Sequence, residues 1–149
     1  MARIYTTATI ACPIDDLYAY VTTPAYWPDW HPSSLGVSEG ATHSLTVGER
    51  VTERFLVAGR RGTVVWTVTE REAPRRWVIA GAIEGTNGGG TIIYTLSQRD
   101  EGVFFEREFV YPAPNLAFAV LDALVVRRRI QVESEEATRR LKEHIEAHA

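Results

Sequence analysis

Strand and turn signals follow one another through most of this chain, and one long helical pattern comes last. Residues from about Arg3 to Ala11 are rich in Thr, Ile and Tyr and predict a first strand. Strand and helix do not alternate along the chain, which disfavours a parallel βαβ architecture. We therefore expect an α+β fold in which a curved antiparallel sheet of about seven strands wraps around one long C-terminal helix.

Prolines and turn residues divide the chain into these elements. Pro13 opens a short helix, and Pro24, Pro28 and Pro32 break the next stretch into turns, so two short helical segments follow the first strand. Asn115 is the predicted N-cap of the long helix, which reaches about His148. The remaining strands are predicted near residues 36–46, 48–58, 62–72, 76–84, 90–99 and 102–111.

Length, charge and cysteine content limit the class of protein. The 149 residues fit a single domain, 1–149, and the net charge of −3 gives no general reason to bind nucleic acid. No apolar run approaches the ~20 residues that span a bilayer, so we expect no stable membrane insertion. Cys12 is the only cysteine, and the N-terminus lacks a signal-peptide pattern, so we expect a cytoplasmic protein.

Period-two alternation assigns one face of each strand to the interior. The opposite faces are more polar and carry mainly Thr, Ser and Glu. The residues predicted to point inward are Val51, Glu53, Phe55, Val57, Val64, Trp66, Val68, Trp77, Ile79, Gly81, Ile83, Ile92, Tyr94, Leu96, Val103, Phe105, Arg107, Phe109 and Tyr111.

Three charged residues interrupt these apolar faces. Glu53 and Arg107 do so on their strands, and Arg127 does so on the long helix. A buried charge costs several kcal/mol unless it is paired or hydrated. Either these groups face a hydrated cavity and orient a polar group of a ligand, or they form a structural ion pair or turn outward at a bulge.

Other motifs do not support a separate chemistry. Cys12 lacks an obvious catalytic partner, and the glycine-rich run 85–90 lacks a following Lys-Ser/Thr, which indicates a hairpin turn. His144 and His148 stand one helical turn apart, but they lie near a terminus where a helix frays. We expect no metal and no cofactor.

Six segments agree in order and spacing with a known family: 11–18, 24–32, 47–50, 66–70, 73–77 and 139–142. On these segments the chain resembles the SRPBCC superfamily, the helix-grip fold of START lipid-transfer domains, birch-pollen-allergen-like proteins and bacterial polyketide cyclases/dehydrases. Within it, the chain is most similar to the bacterial polyketide cyclase/dehydrase-like proteins. The resemblance spans essentially the whole chain and implies a deep cavity between sheet and helix, with Trp30 and His31 near its mouth.

Two classes of function follow from this resemblance and from the predicted faces. The first is binding of a hydrophobic small molecule, such as a lipid, a polyketide or an aromatic metabolite. The second is a polyketide cyclase, aromatase or dehydratase acting in the same cavity, with Arg107 binding an oxyanion, Tyr94 or Tyr111 donating a proton, and His31 or Glu53 acting as base. A protein-interaction role or a homodimer through the apolar first half of the long helix is a further alternative. The residues expected to contact the ligand are Trp30, His31, Glu53, Phe55, Trp66, Trp77, Ile79, Tyr94, Phe105, Arg107, Phe109, Val120, Leu124 and Arg127.

Overall fold

The computed structural model describes residues 2–86, 88–112 and 120–148. Side chains are described from residue 123 onward in the last of these ranges. The strands are β1 (Ala2–Ile10), β2 (Ser34–Val37), β3 (Arg50–Val57), β4 (Arg60–Glu72), β5 (Arg76–Ile83), β6 (Gly89–Arg99) and β7 (Gly102–Tyr111). The helices are α1 (Ile14–Val21), a 3-10 turn (Pro24–Tyr26), α2 (Trp27–Trp30) and α3 (Val120–Ala147).

All seven strands form one antiparallel sheet in the order β1-β7-β6-β5-β4-β3-β2. Consecutive strands from β2 to β7 are neighbours, and β1 joins the free edge of β7 in continuous register from Ala2 opposite Tyr111 to Ile10 opposite Val103. The sheet curls around α3, and the two short helices follow β1. This is the helix-grip architecture, so the predicted fold class is confirmed.

The predicted strand at 36–46 is wrong for most of its length. Only Ser34–Val37 pairs with β3, through a register shift at Gly36. Beyond it the backbone bonds to the helical region: the Leu45 amide donates to the Thr22 carbonyl, and the Ala25 amide donates to the Ala41 carbonyl. Ala41 and Leu45 are buried. Their apolar side chains, separated by polar residues, gave this irregular segment a sequence pattern like that of a strand.

The main core lies between the sheet, the short helices and the C-terminal half of α3. Trp30, Trp77 and Phe105 are its largest fully buried side chains, and Ala137 and Leu141 of α3 pack among them. Among the described side chains from residue 123 onward, the N-terminal half of α3 contributes to a smaller cluster, in which Ile130 joins Ile4 and Ala58. The helix is therefore anchored along its second half, while its first half lies over the rest of the concave face.

The predicted start of this helix, with Asn115 as its N-cap, lies outside the described residues. Its C-terminal limit agrees with the expected end near His148, because α3 extends to Ala147. Among the described residues, no helix has the length and hydropathy needed to cross a bilayer.

Side chains of α3 bind the outer edge of β1. Arg127 donates to the Arg3 carbonyl at 3.3 Å, Gln131 to the Tyr5 carbonyl at 3.3 Å, and Lys142 to the Thr9 carbonyl at 2.6 Å. The edge strand therefore has helix side chains as partners where a further strand would otherwise pair.

Candidate functional site

A cavity of about 420 Å³ lies between the concave face of the sheet and the first half of α3. This volume falls in the range of about 300–1,000 Å³ that is typical of small-molecule pockets. Aromatic and aliphatic side chains make up most of its wall. The apolar residues of the lining include Trp27, Trp30, Phe55, Val57, Val64, Trp66, Ile83, Ile92, Phe109, Ala123, Val126 and Ile130.

The two ends of the cavity differ in exposure. Trp30, Tyr94 and Arg107 are buried at one end, whereas Arg60, Gly88 and Pro112 are exposed lining residues at the other. These exposed residues lie at the end of the sheet that holds the β3–β4 and β5–β6 turns. The expectation of a mouth near Trp30 and His31 is therefore wrong: α2 packs its tryptophans into the core and closes that end.

Arg107 is the cation of the closed end. It sits on β7 directly across from Tyr94 of β6, and its Nη1 donates to Ser134 Oγ of α3 at 3.3 Å. Only 5% of its surface is exposed. Burial raises the pKa of Tyr94 to about 12, so its hydroxyl stays protonated near neutral pH.

Glu53 reaches the cavity from β3. Trp66 Nε1, on the neighbouring strand β4, donates to Glu53 Oε1 at 3.0 Å, so the indole N–H has a hydrogen-bond partner. Burial raises the pKa of Glu53, although hydrogen bonds from Ser34 and Trp66 and the charge of Arg107 oppose that shift.

His31 follows α2 and also lines the cavity. The Ser33 amide donates to His31 Nδ1 at 3.1 Å, which assigns the proton of the neutral ring to Nε2. Desolvation, followed by the charges of Arg107 and Arg140, holds the pKa of His31 well below its ordinary value. In its neutral form His31 keeps its Nε2–H as a donor. The role of His31 or Glu53 as a base stays a prediction.

The cavity brings together eight of the residues predicted to contact a ligand. They come from α2 and its following turn and from strands β3, β4, β6 and β7. These residues are Trp30, His31, Glu53, Phe55, Trp66, Tyr94, Arg107 and Phe109. Tyr111, the other predicted proton donor, lines the cavity as well, and burial raises its pKa.

Three predicted contacts lie behind the wall. Trp77 stacks on Tyr94 at 5.5 Å between ring centroids, and Phe105 packs against Tyr94 at 5.3 Å. Together with Ile79 they are almost completely buried and belong to the core. Strand alternation correctly turned them inward, but it cannot distinguish core from cavity wall along one face.

Two predicted contacts on α3 are wrong. Leu124 is 55% exposed, and Arg127 is exposed with its guanidinium directed to the Arg3 carbonyl. The helix presents Ala123, Val126 and Ile130 to the cavity instead. The helical register was misassigned because the first half of α3 is apolar nearly all round. The side chain of Val120, also predicted as a contact, lies outside the described part.

Some lining residues were not foreseen. Glu133 of α3 accepts hydrogen bonds from the Ala58 amide at 3.0 Å and from Ser33 Oγ at 3.1 Å, and so ties the helix to the β3–β4 turn. Ser134, next to it, holds Arg107. Gly88, Gly89 and Gly90 also line the cavity; a Cβ on Gly89 would lie 2.1 Å from the Gly81 carbonyl oxygen. Glu133 and Ser134 could have been found from the sequence as two adjacent polar residues on the helical face that turns toward the sheet.

The residues set aside for other chemistry lie elsewhere. Cys12 packs against the core, and burial raises the pKa of its thiol. The rings of His144 and His148 lie 4.5 Å apart, and His148 Nδ1 contacts the His144 carbonyl at 2.7 Å. Within residues 2–86, 88–112 and 120–148, no three His, Cys, Asp or Glu side chains are grouped as metal ligands.

Comparison with protein families gives one match over nearly the whole chain. The model of the family described as "Polyketide cyclase / dehydrase and lipid transport" matches residues 1–146. No curated protein matches.

Several solved structures share the fold at low sequence identity. A protein from Chromobacterium violaceum superposes with a TM-score of 0.72 at 14% identity, covering 97% of this chain and 97% of that one. The Aha1 dimer from Colwellia psychrerythraea gives 0.67 at 18% identity, covering 98% and 97%. DynU16, of the dynemicin biosynthetic locus, gives 0.69 at 15% identity and covers 98% of this chain, which spans 48% of DynU16.

Proposed function

We propose that this chain, which belongs to the polyketide cyclase/dehydrase and lipid transport family, binds a hydrophobic small molecule between its sheet and α3. The family assignment confirms the resemblance predicted from the sequence. The observation that carries the proposal is the cavity itself, whose volume suits a small molecule and whose wall is mainly aromatic and aliphatic.

The buried aromatic wall supports recognition by shape. Trp30, Trp66 and Tyr94 present rigid rings, so a planar or extended apolar ligand buries its surface with little loss of side-chain freedom. The Trp66 nitrogen is engaged by Glu53. The ring therefore acts mainly through its apolar surface.

Native mass spectrometry followed by denaturing extraction tests this function directly. We expect a discrete bound species of a few hundred daltons on the purified protein. A neutral fluorescent probe, 1-pyrenebutanol, supplies a second measurement that does not depend on what the host cell contains. Absence of both a co-purified species and probe binding would contradict the proposal.

A filled cavity gives a matched control. Ala123 of α3 points into the cavity and its neighbour Leu124 points to solvent. We expect Ala123→Trp to weaken 1-pyrenebutanol binding at least tenfold and Leu124→Trp to leave it unchanged. Equal binding by the two variants would place the probe elsewhere.

A second candidate function is cyclisation or dehydration of a polyketide-like compound. It is favoured by four polar groups that converge on one cavity, from Arg107, Tyr94, His31 and Glu53. Arg107 would stabilise a developing oxyanion, the protonated Tyr94 would donate a proton, and His31 or Glu53 would act as base. We would follow the absorbance of an aromatic product formed from a linear poly-β-ketone thioester. Under this function Arg107→Ala abolishes turnover while affinity stays within about tenfold; no turnover by the wild type would exclude it.

Self-association through α3 is a further part of the proposal. Leu124, Val125 and Val132 are exposed on α3. Arg128 and Glu136 lie one turn on either side of Val132, so an antiparallel second copy would set Arg128 against the partner copy's Glu136. We expect sedimentation velocity to show a dimer that Val132→Glu dissociates and Val47→Glu, at another exposed site, preserves. A wild-type monomer at all concentrations would exclude it.

A single domain and a cytoplasmic location remain proposals. The one cysteine, Cys12, needs no oxidising compartment. Fractionation of the native host would test the location, and one cooperative unfolding transition would support the single domain.

A further inference from the structure

Two buried N–H donors on the cavity wall have no partner among the described residues. They are Arg107 Nε and Trp30 Nε1, and both residues line the closed end. Buried polar groups in folded proteins are nearly always hydrogen-bonded, because a donor without an acceptor loses its interaction with water and gains nothing in return. The pair therefore calls for an acceptor at this end of the cavity.

Arg107 also brings a positive charge that forms no ion pair among the described residues. A guanidinium stays protonated at all ordinary pH values. Among the described residues, its hydrogen bonds go to two neutral hydroxyl groups, those of Ser134 and Tyr94. Glu53 is close enough for the two charges to interact, but the two side chains form no ion pair. The cation is thus held by packing and by neutral hydroxyl groups.

The carboxyl groups that line the cavity are engaged by other partners. Glu53 accepts a hydrogen bond from Trp66 Nε1, and burial raises its pKa. Glu133 accepts from the Ala58 amide and from Ser33 Oγ, which directs it to the β3–β4 turn. His31 is neutral, with its free ring nitrogen a donor. The closed end is consequently rich in donors, and Arg107 is the cation among them.

We propose that the ligand is an apolar carboxylic acid, whose carboxylate binds Arg107 and Trp30 at the closed end while its apolar body extends toward the mouth. This inference rests on the proposed binding function and assigns its ligand class. A carboxylate has four lone-pair sites and can accept two parallel bonds from a guanidinium, so it matches the unpartnered donors in both number and charge. A neutral alcohol of the same shape would fill the apolar part and leave the charge uncompensated.

Two probes with the same apolar body and different head groups separate the contribution of the carboxylate to affinity from that of the apolar body. The probes are 1-pyrenebutanoic acid, ionised at pH 7, and 1-pyrenebutanol, measured by fluorescence titration against the wild-type protein. We expect the acid to bind at least tenfold more tightly than the alcohol. The preference should persist between 0.05 and 0.5 M NaCl, because a buried pair is screened far less than a surface one.

Two matched variants test whether the preference for the acid over the alcohol depends on Arg107. Arg107→Met keeps the length and apolar stem of the side chain and removes its charge, whereas Arg127→Met removes an exposed charge outside the cavity. We expect the acid-to-alcohol ratio to fall to about one in the first variant and to stay at the wild-type value in the second. Near-UV circular dichroism checks that each variant is folded. If Arg107→Met does not fold, the wild-type ratio and its salt dependence decide the question.

The outcomes separate this inference from the function on which it rests. Equal affinities for acid and alcohol, a preference that survives Arg107→Met, or one lost in high salt would overturn the carboxylate while leaving binding in the cavity intact. Failure of both probes to bind the wild type would remove the proposed function and the inference together.

Discussion

We expect Arg107 to lower the stability of the folded protein, because it places a charge in the interior. In the unfolded chain its guanidinium is fully hydrated, whereas in the fold it is buried with the hydroxyl groups of Ser134 and Tyr94 as hydrogen-bond partners. Desolvating a charge without an opposite partner costs free energy that packing must offset. Replacing such a residue with an apolar one is therefore expected to increase the stability of the fold.

We expect Arg107→Met to raise the free energy of unfolding by about 1–3 kcal/mol, because an apolar side chain of similar length replaces a desolvated cation. Urea denaturation at pH 7 measures the change. Arg127→Met, at an exposed position, should stay within about 0.5 kcal/mol of the wild type. A destabilised Arg107→Met would mean that the guanidinium is better compensated than its contacts indicate.

Glu49 lies at the end of the irregular segment before β3, and its contacts there predict a stability that depends on pH. Its carboxylate accepts from the Thr46 amide at 2.8 Å and contacts His43 Nε2 at 2.7 Å. The backbone bond from Thr46, and then the bond from His43, lowers the pKa of Glu49 to about 2 from 4.5. A pKa depressed by folding stabilises the protein above the unfolded value, and that contribution is lost as pH falls through the folded one.

We therefore expect the melting temperature of Glu49→Gln to lie below that of the wild type at pH 5–7. The difference should shrink between pH 4.5 and pH 2 and vanish below that range, as circular dichroism melts at stepped pH would show. Glu39→Gln, at an exposed position in the same segment, should show no such trend. A difference independent of pH would assign the effect of Glu49 to packing.

The bonds between α3 and the edge of β1 act at the scale of whole elements, because they join residues far apart in sequence. Lys142 donates to the Thr9 carbonyl and also pairs with Glu146. We expect Lys142→Met to lower the free energy of unfolding by about 0.5–1.5 kcal/mol, the usual net value of one hydrogen bond.

Arg140→Met is the control for this variant. Arg140 pairs with Glu136 of its own helix on the exposed surface, so its loss should cost no more than about 0.5 kcal/mol. Equal effects of the two substitutions in urea denaturation would show that the bond to β1 contributes nothing specific.

The elements were predictable wherever local pattern and tertiary context agree. The hairpin strands from β3 to β7 combine alternation with turn residues, and their predicted limits lie within about two residues of the observed ones. The prediction of a strand was wrong in the segment 38–49, because Ala41 and Leu45 are buried from an irregular backbone that hydrogen-bonds to the helical region. The cavity wall was recovered on the strands, where period two fixes the face. It was misplaced on α3, where apolar residues surround the helix and only packing selects the inner side.

At the scale of the whole molecule, the helix has two regions of different support. Ala137 and Leu141 lie in the main core, whereas Val126 and Ile130 face the cavity and a small cluster. Local opening is cheaper where fewer apolar contacts must be broken. We expect amides of residues 123–130 to exchange hydrogen faster than those of residues 137–145 in the ligand-free protein.

A ligand in the cavity should remove that difference. On saturation with 1-pyrenebutanoic acid, protection of residues 123–130 should rise, while residues 137–145 change little, because only the first region contacts the cavity. Hydrogen exchange followed by mass spectrometry resolves the two regions. Uniform protection along α3 before and after binding would contradict this division.

The hydrogen bonds that hold α3 to β1 also bear on how the protein behaves when crowded. An open sheet edge is a template on which another chain can add a strand, and repetition of that step leads to fibres. Here three carbonyls along β1 already accept bonds from Arg127, Gln131 and Lys142, and the opposite edge, β2, is only four residues long and irregular. A second molecule would have to displace three side chains before it could extend this sheet along β1.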